Sequence, residues 1–296
     1  MDKEDYWVKK QQFTKTVYRD VYPAIDPTSA SNSQAGKVVV ITGASRGLGR
    51  LAFVNSFAKA SPKAIVIVAR SLGPLEEVRD EIHAINKDIE VLAVPTDLQS
   101  AASIASLWDK VKEKFGHADV LVNNAGSLNA GTVADTEVDK WWSDFETNVK
   151  GVFLLTQGFL RLLGKEKKGS IVTLSTSAAF MVFPGMSCYS LSKLASTQLQ
   201  TFIAAENPNV TAISLHPGLV LTDMTMDAFR PYAKDTPELV GGVGVWLATE
   251  KAAFLNGRYI ESNWSVDDLV ARKEEIVGGE KLSLKLEAEL GSEQFE

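Results

Sequence analysis

Apolar residues along the chain fall into short β-branched runs separated by longer stretches with helical spacing. The runs are 37–42 (KVVVIT), 64–69 (AIVIVA), 89–95, 119–124 (DVLVNN), 170–175 (SIVTLS) and 210–216 (VTAISLH), with a last short one at 257–261. Several are apolar at consecutive positions, the pattern of a strand covered by helices on both faces. The segments between them, among them 47–60, 75–86, 101–115 and 137–163, are long enough for crossover helices. Further helices are expected to open near Ser187 and near Val240. Strand–helix alternation of this kind predicts an α/β fold, a doubly wound parallel sheet of the Rossmann type.

Two composition breaks frame that pattern. Residues 23–36 (PAIDPTSASNSQAG) favour irregular chain, and 272–296, rich in Lys, Glu and Leu, read as a short exposed amphipathic helix or tail serving mainly solvation. The chain therefore divides into an N-terminal arm (1–35), a single α/β domain (36–262) and a C-terminal extension (263–296). Trp7, Phe13, Tyr18 and Tyr22 make the arm too aromatic for a free tail, so it is expected to pack on its own domain or on a partner subunit.

Composition narrows the class. With 296 residues, 45% hydrophobic and 23% charged, the chain can bury a sizeable core. A formal net charge of −6 argues against a nucleic-acid partner, because such surfaces need basic patches. The single cysteine, Cys188, excludes an intramolecular disulfide and fits a reducing compartment. No apolar run approaches the roughly 18–20 residues that span a bilayer, and the opening MDKEDYWVKKQQF lacks the apolar stretch of a secretory signal. A soluble, cytoplasmic protein without a membrane partner is the expectation.

Candidate chemistry begins directly after the first strand, at Gly43-Ala44-Ser45-Arg46-Gly47-Leu48-Gly49. Glycines between a strand and a helix let backbone approach a pyrophosphate, which then sits on the helix N-terminus. Farther on, Tyr189 and Lys193 are four residues apart and so share one face of a helix. A phenol near pKa 10 becomes a useful proton donor and acceptor when lowered by about 3 units, and a neighbouring ammonium acts in that direction. Three scattered histidines give no metal-ligand spacing, and His216 reads as structural.

The glycine turn, Asp97 after the third strand, Asn123-Asn124-Ala125-Gly126 after the fourth and Tyr189-x3-Lys193 occur in the order and spacing that resembles the short-chain dehydrogenase/reductase family, over about 37–261. Phe13-Thr14-Lys15-Thr16, Ile25-Asp26-Pro27 and Asn263-Trp264-Ser265-Val266 resemble a fungal branch often found in secondary metabolism. The resemblance implies an oxidoreductase interconverting a carbonyl and an alcohol, with the turn (Gly43, Ser45, Arg46, Gly47, Leu48, Gly49), Asp97, Leu98, Asn124, Ala125 and Gly126 on a dinucleotide. It also places Pro217, Gly218, Val220 and Thr222 at the nicotinamide, and gives Tyr189 and Lys193 a share in binding as well as catalysis. Asp97 has a second reading as the N-cap of the next helix. NAD sites usually carry an acid after the second strand; here Val68-Ala69 is followed by Arg70, which with Arg46 would pair with a 2′-phosphate and points to NADP(H).

The family's substrate-holding hydroxyl, usually a serine thirteen residues before the tyrosine, falls here on Thr176, with Ser175 as the substitute. Asn148 matches the family's fourth catalytic position, where it would hold a water relaying protons to Lys193; a mid-helix Asn alone is usually solvent-facing or bonded to its own helix. The stretch 223–237, with Met224, Met226, Phe229 and Tyr232, is the expected lid; with Phe180-Met181-Val182-Phe183 it suggests an apolar, aromatic or polyketide-like small-molecule substrate. Homo-oligomers through the long helices near Glu137 and Ser187 are implied by the family. A non-redox enzyme on the same scaffold (epimerase, dehydratase or cyclase) and a cofactor-sensing regulator are the alternatives.

Overall fold

The computed structural model describes residues 5–288. Seven parallel strands, β1 (Val38–Thr42), β2 (Ala64–Ala69), β3 (Glu90–Pro95), β4 (Val120–Asn123), β5 (Gly169–Leu174), β6 (Val210–His216) and β7 (Tyr259–Glu261), form one sheet in the order β3-β2-β1-β4-β5-β6-β7. β1 lies inside the sheet next to the central strand β4, with Val40 registered between Val66 of β2 and Leu121 of β4. Alternation along β1 divides the core in two: Val39 and Ile41 pack with Phe53, Phe57 and Val243 on one face, and Val38 and Val40 with Leu107, Val111 and Phe159 on the other. That two-sided burial is why these strands carry no polar alternation.

The helices are α1 (Tyr6–Lys10), α2 (Asn55–Lys59), α3 (Leu72–Ile85), α4 (Ala101–Phe115), α5 (Val138–Phe145), α6 (Val152–Leu163), α7 (Ser187–Glu206), α8 (Pro237–Leu247), α9 (Val266–Ala271) and α10 (Lys273–Gly278). Both helical runs beside the site contain a widened π-turn, Gly49–Val54 ahead of α2 and Glu146–Gly151 between α5 and α6. The sequence reads each as one uninterrupted helix; such turns often occur at functional sites. Among the described residues no helix is long and apolar enough to cross a membrane.

The arm packs on its own chain. Val17 pairs antiparallel with Trp264, the Thr16 N–H reaches Asp268 (2.7 Å), and the Ser265 N–H donates to Thr14 Oγ1 (3.1 Å). The motifs at 13–16 and 263–266, far apart in sequence, are thus one structural unit. Segment 23–36 is irregular, as composition suggests, yet Ile25, Asn32 and Gln34 are buried. The C-terminal stretch corrects the reading of it as a solvating tail: Ile276 is fully buried, and Leu282 packs on the core and accepts from the Tyr259 N–H. Its last eight positions, 289–296, and the arm's first four lie outside the described residues.

Candidate active site

The order of the sheet leaves a crevice beyond the carboxyl ends of β1 and β4, where successive connections run to opposite sides. A cavity of about 910 Å3 opens there. Every residue that the sequence assigns to cofactor binding lines it except Gly49, and of the four catalytic candidates Thr176, Tyr189 and Lys193 line it, while Asn148 lies behind the wall.

The glycine turn is fixed by close packing. Gly43 and Gly47 have φ of +67° and +55°, the left-handed region that favours glycine. A Cβ on Gly49 would stand 2.0 Å from the Gly43 carbonyl oxygen, so the helix start can dock on the turn only without a side chain. Asn124 joins the two strand ends: its Nδ2 donates to Thr42 O (2.7 Å), and the N–H groups of Asn124 and Ala125 both donate to Thr42 Oγ1 (3.1 Å each).

Charged groups ring this end. Arg70 lines the cavity and meets no carboxylate at ion-pair distance among the described residues. Arg46 stands 3.9 Å from Asp223, an exposed pair of little energetic weight. Asp97 lines the same wall, with Oδ1 accepting from the Gln99 N–H (3.0 Å). It is not the N-cap of α4. Ser100 is, accepting from the Ser103 N–H, because the helix begins at Ala101 and only the residue just before it reaches that amide.

Deeper in, α7 presents Tyr189 and Lys193 on one face. Lys193 Nζ donates to Leu174 O (2.7 Å); burial pulls its pKa down to about 8, against the opposing effect of the Asp144 carboxylate. Burial pushes the Tyr189 phenol up to about 12, while its hydrogen bond with Thr176 acts in the lowering direction and Asp144 in the raising one. The lowered phenol expected from the motif is therefore not a property of the protein alone: desolvation penalises phenolate more than the side chains around it favour it. Thr176 Oγ1 also accepts from the Ala178 N–H (3.2 Å). Ser175 is engaged elsewhere, its buried hydroxyl 2.6 Å from Thr197 Oγ1.

Asn148 is fully buried and bonded across elements, not to its own helix or to solvent. Its Nδ2 donates to Ser127 O (2.9 Å) and Ser192 Oγ (3.0 Å), and its Oδ1 accepts from the Ser127 N–H (3.0 Å). Sequence reasoning missed Asp144, one turn earlier on the same face, which accepts from Ser127 Oγ (2.7 Å), the Asn129 N–H (3.0 Å) and Asn129 Nδ2 (2.9 Å). The i, i+4 spacing of Asp144 and Asn148 was the available signal. Cys188 is buried, donates to Asn129 O, and has its thiol pKa raised by burial and by Asp144. His216, also in the wall, is kept neutral by burial, its pKa lowered to about 4.

The far end of the cavity is apolar, with Phe183, Met186, Met224, Met226 and Phe229. Phe180 and Val182 do not join it: Phe180 packs edge-on against Tyr259, and Val182 is exposed. Two residues of the arm, Trp7 and Gln11, do, and nothing in their local sequence marks them. The buried Asp235 ties the arm to the loop after β6, accepting from the Leu219 N–H (2.6 Å), Arg19 Nε (2.7 Å) and Asn263 Nδ2 (2.9 Å).

A profile of the short chain dehydrogenase family matches residues 37–233. A short chain dehydrogenase of Monascus purpureus is 36% identical over 291 residues, 95% of this chain and 96% of that protein. One from Emericella variicolor is 34% identical, covering 93% of this chain and 97% of its own length. Both come from fungi, the group that the terminal motifs resemble. Among solved structures, a short-chain type dehydrogenase/reductase from Mycobacterium marinum superposes with a TM-score of 0.72 (24% identity, 81% of this chain and 97% of that one). A gluconate 5-dehydrogenase from Burkholderia cenocepacia in complex with NADP and tartrate gives 0.71 (22% identity, 81% and 96%). At those identities the likeness shows the fold.

Proposed function

The chain belongs to the short-chain dehydrogenase family of oxidoreductases, and from that premise we propose that it uses NADP(H) to interconvert a carbonyl and an alcohol on an apolar, aromatic or polyketide-like small molecule. The observation that carries this reading is the convergence of Tyr189, Thr176 and Lys193 on one cavity whose other end is the glycine turn. The residues present fit a dinucleotide phosphate. The Gly43–Gly49 turn opens a helix toward the cavity, and Arg46 and Arg70 offer cationic forks, with no acid at position 70 to repel a 2′-phosphate. When bound, that cofactor supplies or accepts the hydride.

The chain's own groups handle the proton. Thr176 donates a hydrogen bond to the substrate oxygen, and Tyr189, protonated at neutral pH with a pKa of about 12, holds the proton that the oxygen takes in reduction. Both act where negative charge develops. In the oxidative direction Lys193 and the charge of the oxidised cofactor favour phenolate. Asn148 Oδ1, which accepts from the Ser127 N–H, has a second lone pair for the water that would relay protons to Lys193. A Cβ at Gly126 would lie 3.2 Å from Asn148 Oδ1 and 3.4 Å from Lys193 Nζ, so glycine keeps the space between them. The exposed Trp142, Phe153 and Phe202 along α5, α6 and α7 support a homo-oligomer formed through those helices.

The test is consumption of NADPH with a panel of aromatic and polyketide-like ketones. Tyr189→Phe is expected to lower turnover by at least about 100-fold while thermal stabilisation by NADPH is retained. Product without net cofactor oxidation, or binding without turnover, refutes the reductase reading. Equal stabilisation by NADH and NADPH at matched concentration refutes the cofactor half.

A further inference from the structure

The arm reaches the cavity through a single helical turn. In α1, Gln11 follows Trp7 by four residues and its N–H donates to Trp7 O (3.1 Å), so both side chains share a face. Val8 faces the core, and Tyr6, Lys9 and Lys10 face solvent. The Trp7 ring lies 5.8 Å from Phe183 and 6.2 Å from Phe229 between centroids, and Phe183 meets Phe229 at 5.6 Å, nearly perpendicular. These three cavity-lining rings come from three separate segments: the arm, the loop after β5, and the 3-10 turn Asp227–Tyr232 within the expected lid. In the orientation that satisfies both neighbours, the Gln11 amide accepts from Ser177 Oγ (3.1 Å), beside Thr176, and donates to the Glu261 carboxyl group (3.1 and 3.2 Å).

Phe13 and Tyr22 of the arm serve as packing. Phe13 lies on Trp264 at 5.4 Å, and Tyr22 is buried with its hydroxyl accepting from the Val266 N–H. Trp7 differs in facing the cavity. Its position is held from elsewhere, by Trp264 Nε1 donating to Gln11 O (3.0 Å) and by the Arg19–Asp235 pair (2.7 Å). The Trp7 ring also meets Tyr6 (5.0 Å) and Tyr232 (6.4 Å) and has the Lys10 ammonium 5.6 Å from its centre, and with those contacts made it still lines the cavity.

We propose that the N-terminal arm is a substrate-recognition element, in which Trp7, with Phe183 and Phe229, grips a flat aromatic ring system joined to the reacting carbonyl. Trp7 is then a specificity-determining residue. Tilted and perpendicular rings present both faces and edges, which suits a planar π-system, and aromatic contacts contribute beyond the area they bury. A saturated ring of similar size gains the area alone. The assignment rests on the carbonyl reading above for the position of the reacting end.

The probes are two methyl ketones of matched ring size, acetophenone and cyclohexyl methyl ketone, titrated calorimetrically into the full-length protein with saturating NADP+. Wild type is expected to favour the phenyl ketone. Trp7→Ala should raise its Kd about tenfold and that of the cyclohexyl ketone, which loses buried area alone, by about threefold or less. Trp7→Phe should stay within about threefold of wild type. Trp7→Leu, which keeps apolar bulk without a ring, should share the loss, and it carries the test if the alanine variant fails to fold. The Kd for NADP+ should not move. Equal losses for both ketones, no loss for either, or a wild type without aromatic preference overturns the proposal. NADPH consumption is followed in parallel: Trp7-dependent aromatic binding without consumption sinks the reductase reading alone, and consumption without Trp7-dependent selectivity sinks this one alone.

Discussion

Gly49 is the position where substitution tests most directly how the glycine turn is built. An alanine Cβ there would lie 2.0 Å from Gly43 O and 2.7 Å from both Gly43 C and Asn124 Nδ2. Ordinary contact would require a retreat of more than about 1 Å, beyond what a well-packed core absorbs without strain. The helix has little freedom to shift, because the same run is pressed on α8, where a Cβ at Gly241 would meet Ala52 O at 2.3 Å and Ser56 Oγ at 2.1 Å. Nor can Gly43 move freely, since it sits at φ +67° between strand ends held by Asn124. The cost belongs at the upper end of overpacking, about 3 kcal/mol. Gly47→Ala is the control: no heavy atom lies within 4 Å of its Cβ, and only φ of +55° opposes the change, at about 1 kcal/mol. At roughly 2 °C or more per kcal/mol for a domain of this size, Gly49→Ala should lower Tm by about 6 °C or more and Gly47→Ala by about 2 °C. Thermal melts of the two purified variants beside wild type decide the matter. If Gly49→Ala melts no lower than Gly47→Ala, the close-packing account of the turn is wrong.

Three further outcomes are expected. Thr176→Ala should lower kcat by at least about tenfold, whereas Ser175→Ala should cost about 1 kcal/mol of stability through the lost Thr197 bond and leave kcat near wild type; steady-state kinetics and denaturant melts separate the two. Burial raises the Glu261 carboxyl to about 8, against the ordinary 4.5 of the unfolded chain. Folded protein then holds the extra proton between those values, so the group's stabilising contribution is complete below about 4.5 and is lost as pH rises through about 8. Over that window the Tm of wild type should fall relative to that of Glu261→Gln, and a constant difference would contradict the burial argument. Phe202→Glu on the exposed apolar face should lower the molar mass seen by light scattering from that of an oligomer to that of one chain; an unchanged mass places the interface elsewhere.

The elements themselves were legible because their burial pattern is local information. A strand such as Val38–Thr42, covered on both faces, has to be apolar at every position, and the run of valines states this directly. The same holds for glycines forced by a tight turn and for Tyr189 and Lys193, whose separation of four on a helix already puts them side by side. Where two hydroxyls competed for one role, spacing left Ser175 and Thr176 adjacent candidates. Only the fold turned Ser175 toward Thr197 and Thr176 toward Tyr189.

What the sequence alone determined, then, is the order of strands and helices, the glycine turn and the chemical identity of the central pair, all read over a few residues. Tertiary structure decided everything that depends on what arrives from far along the chain. Asp144 matters because folding buries it where its charge reaches Lys193 and Tyr189. The apparent tail proves to be core because Ile276 meets an apolar surface made by other elements. Trp7 stands in the cavity wall because Trp264, more than 250 residues later, holds the arm in place. The physical reason is common to all three: desolvation and contact depend on every neighbour in space, and for these groups the neighbours are remote in sequence.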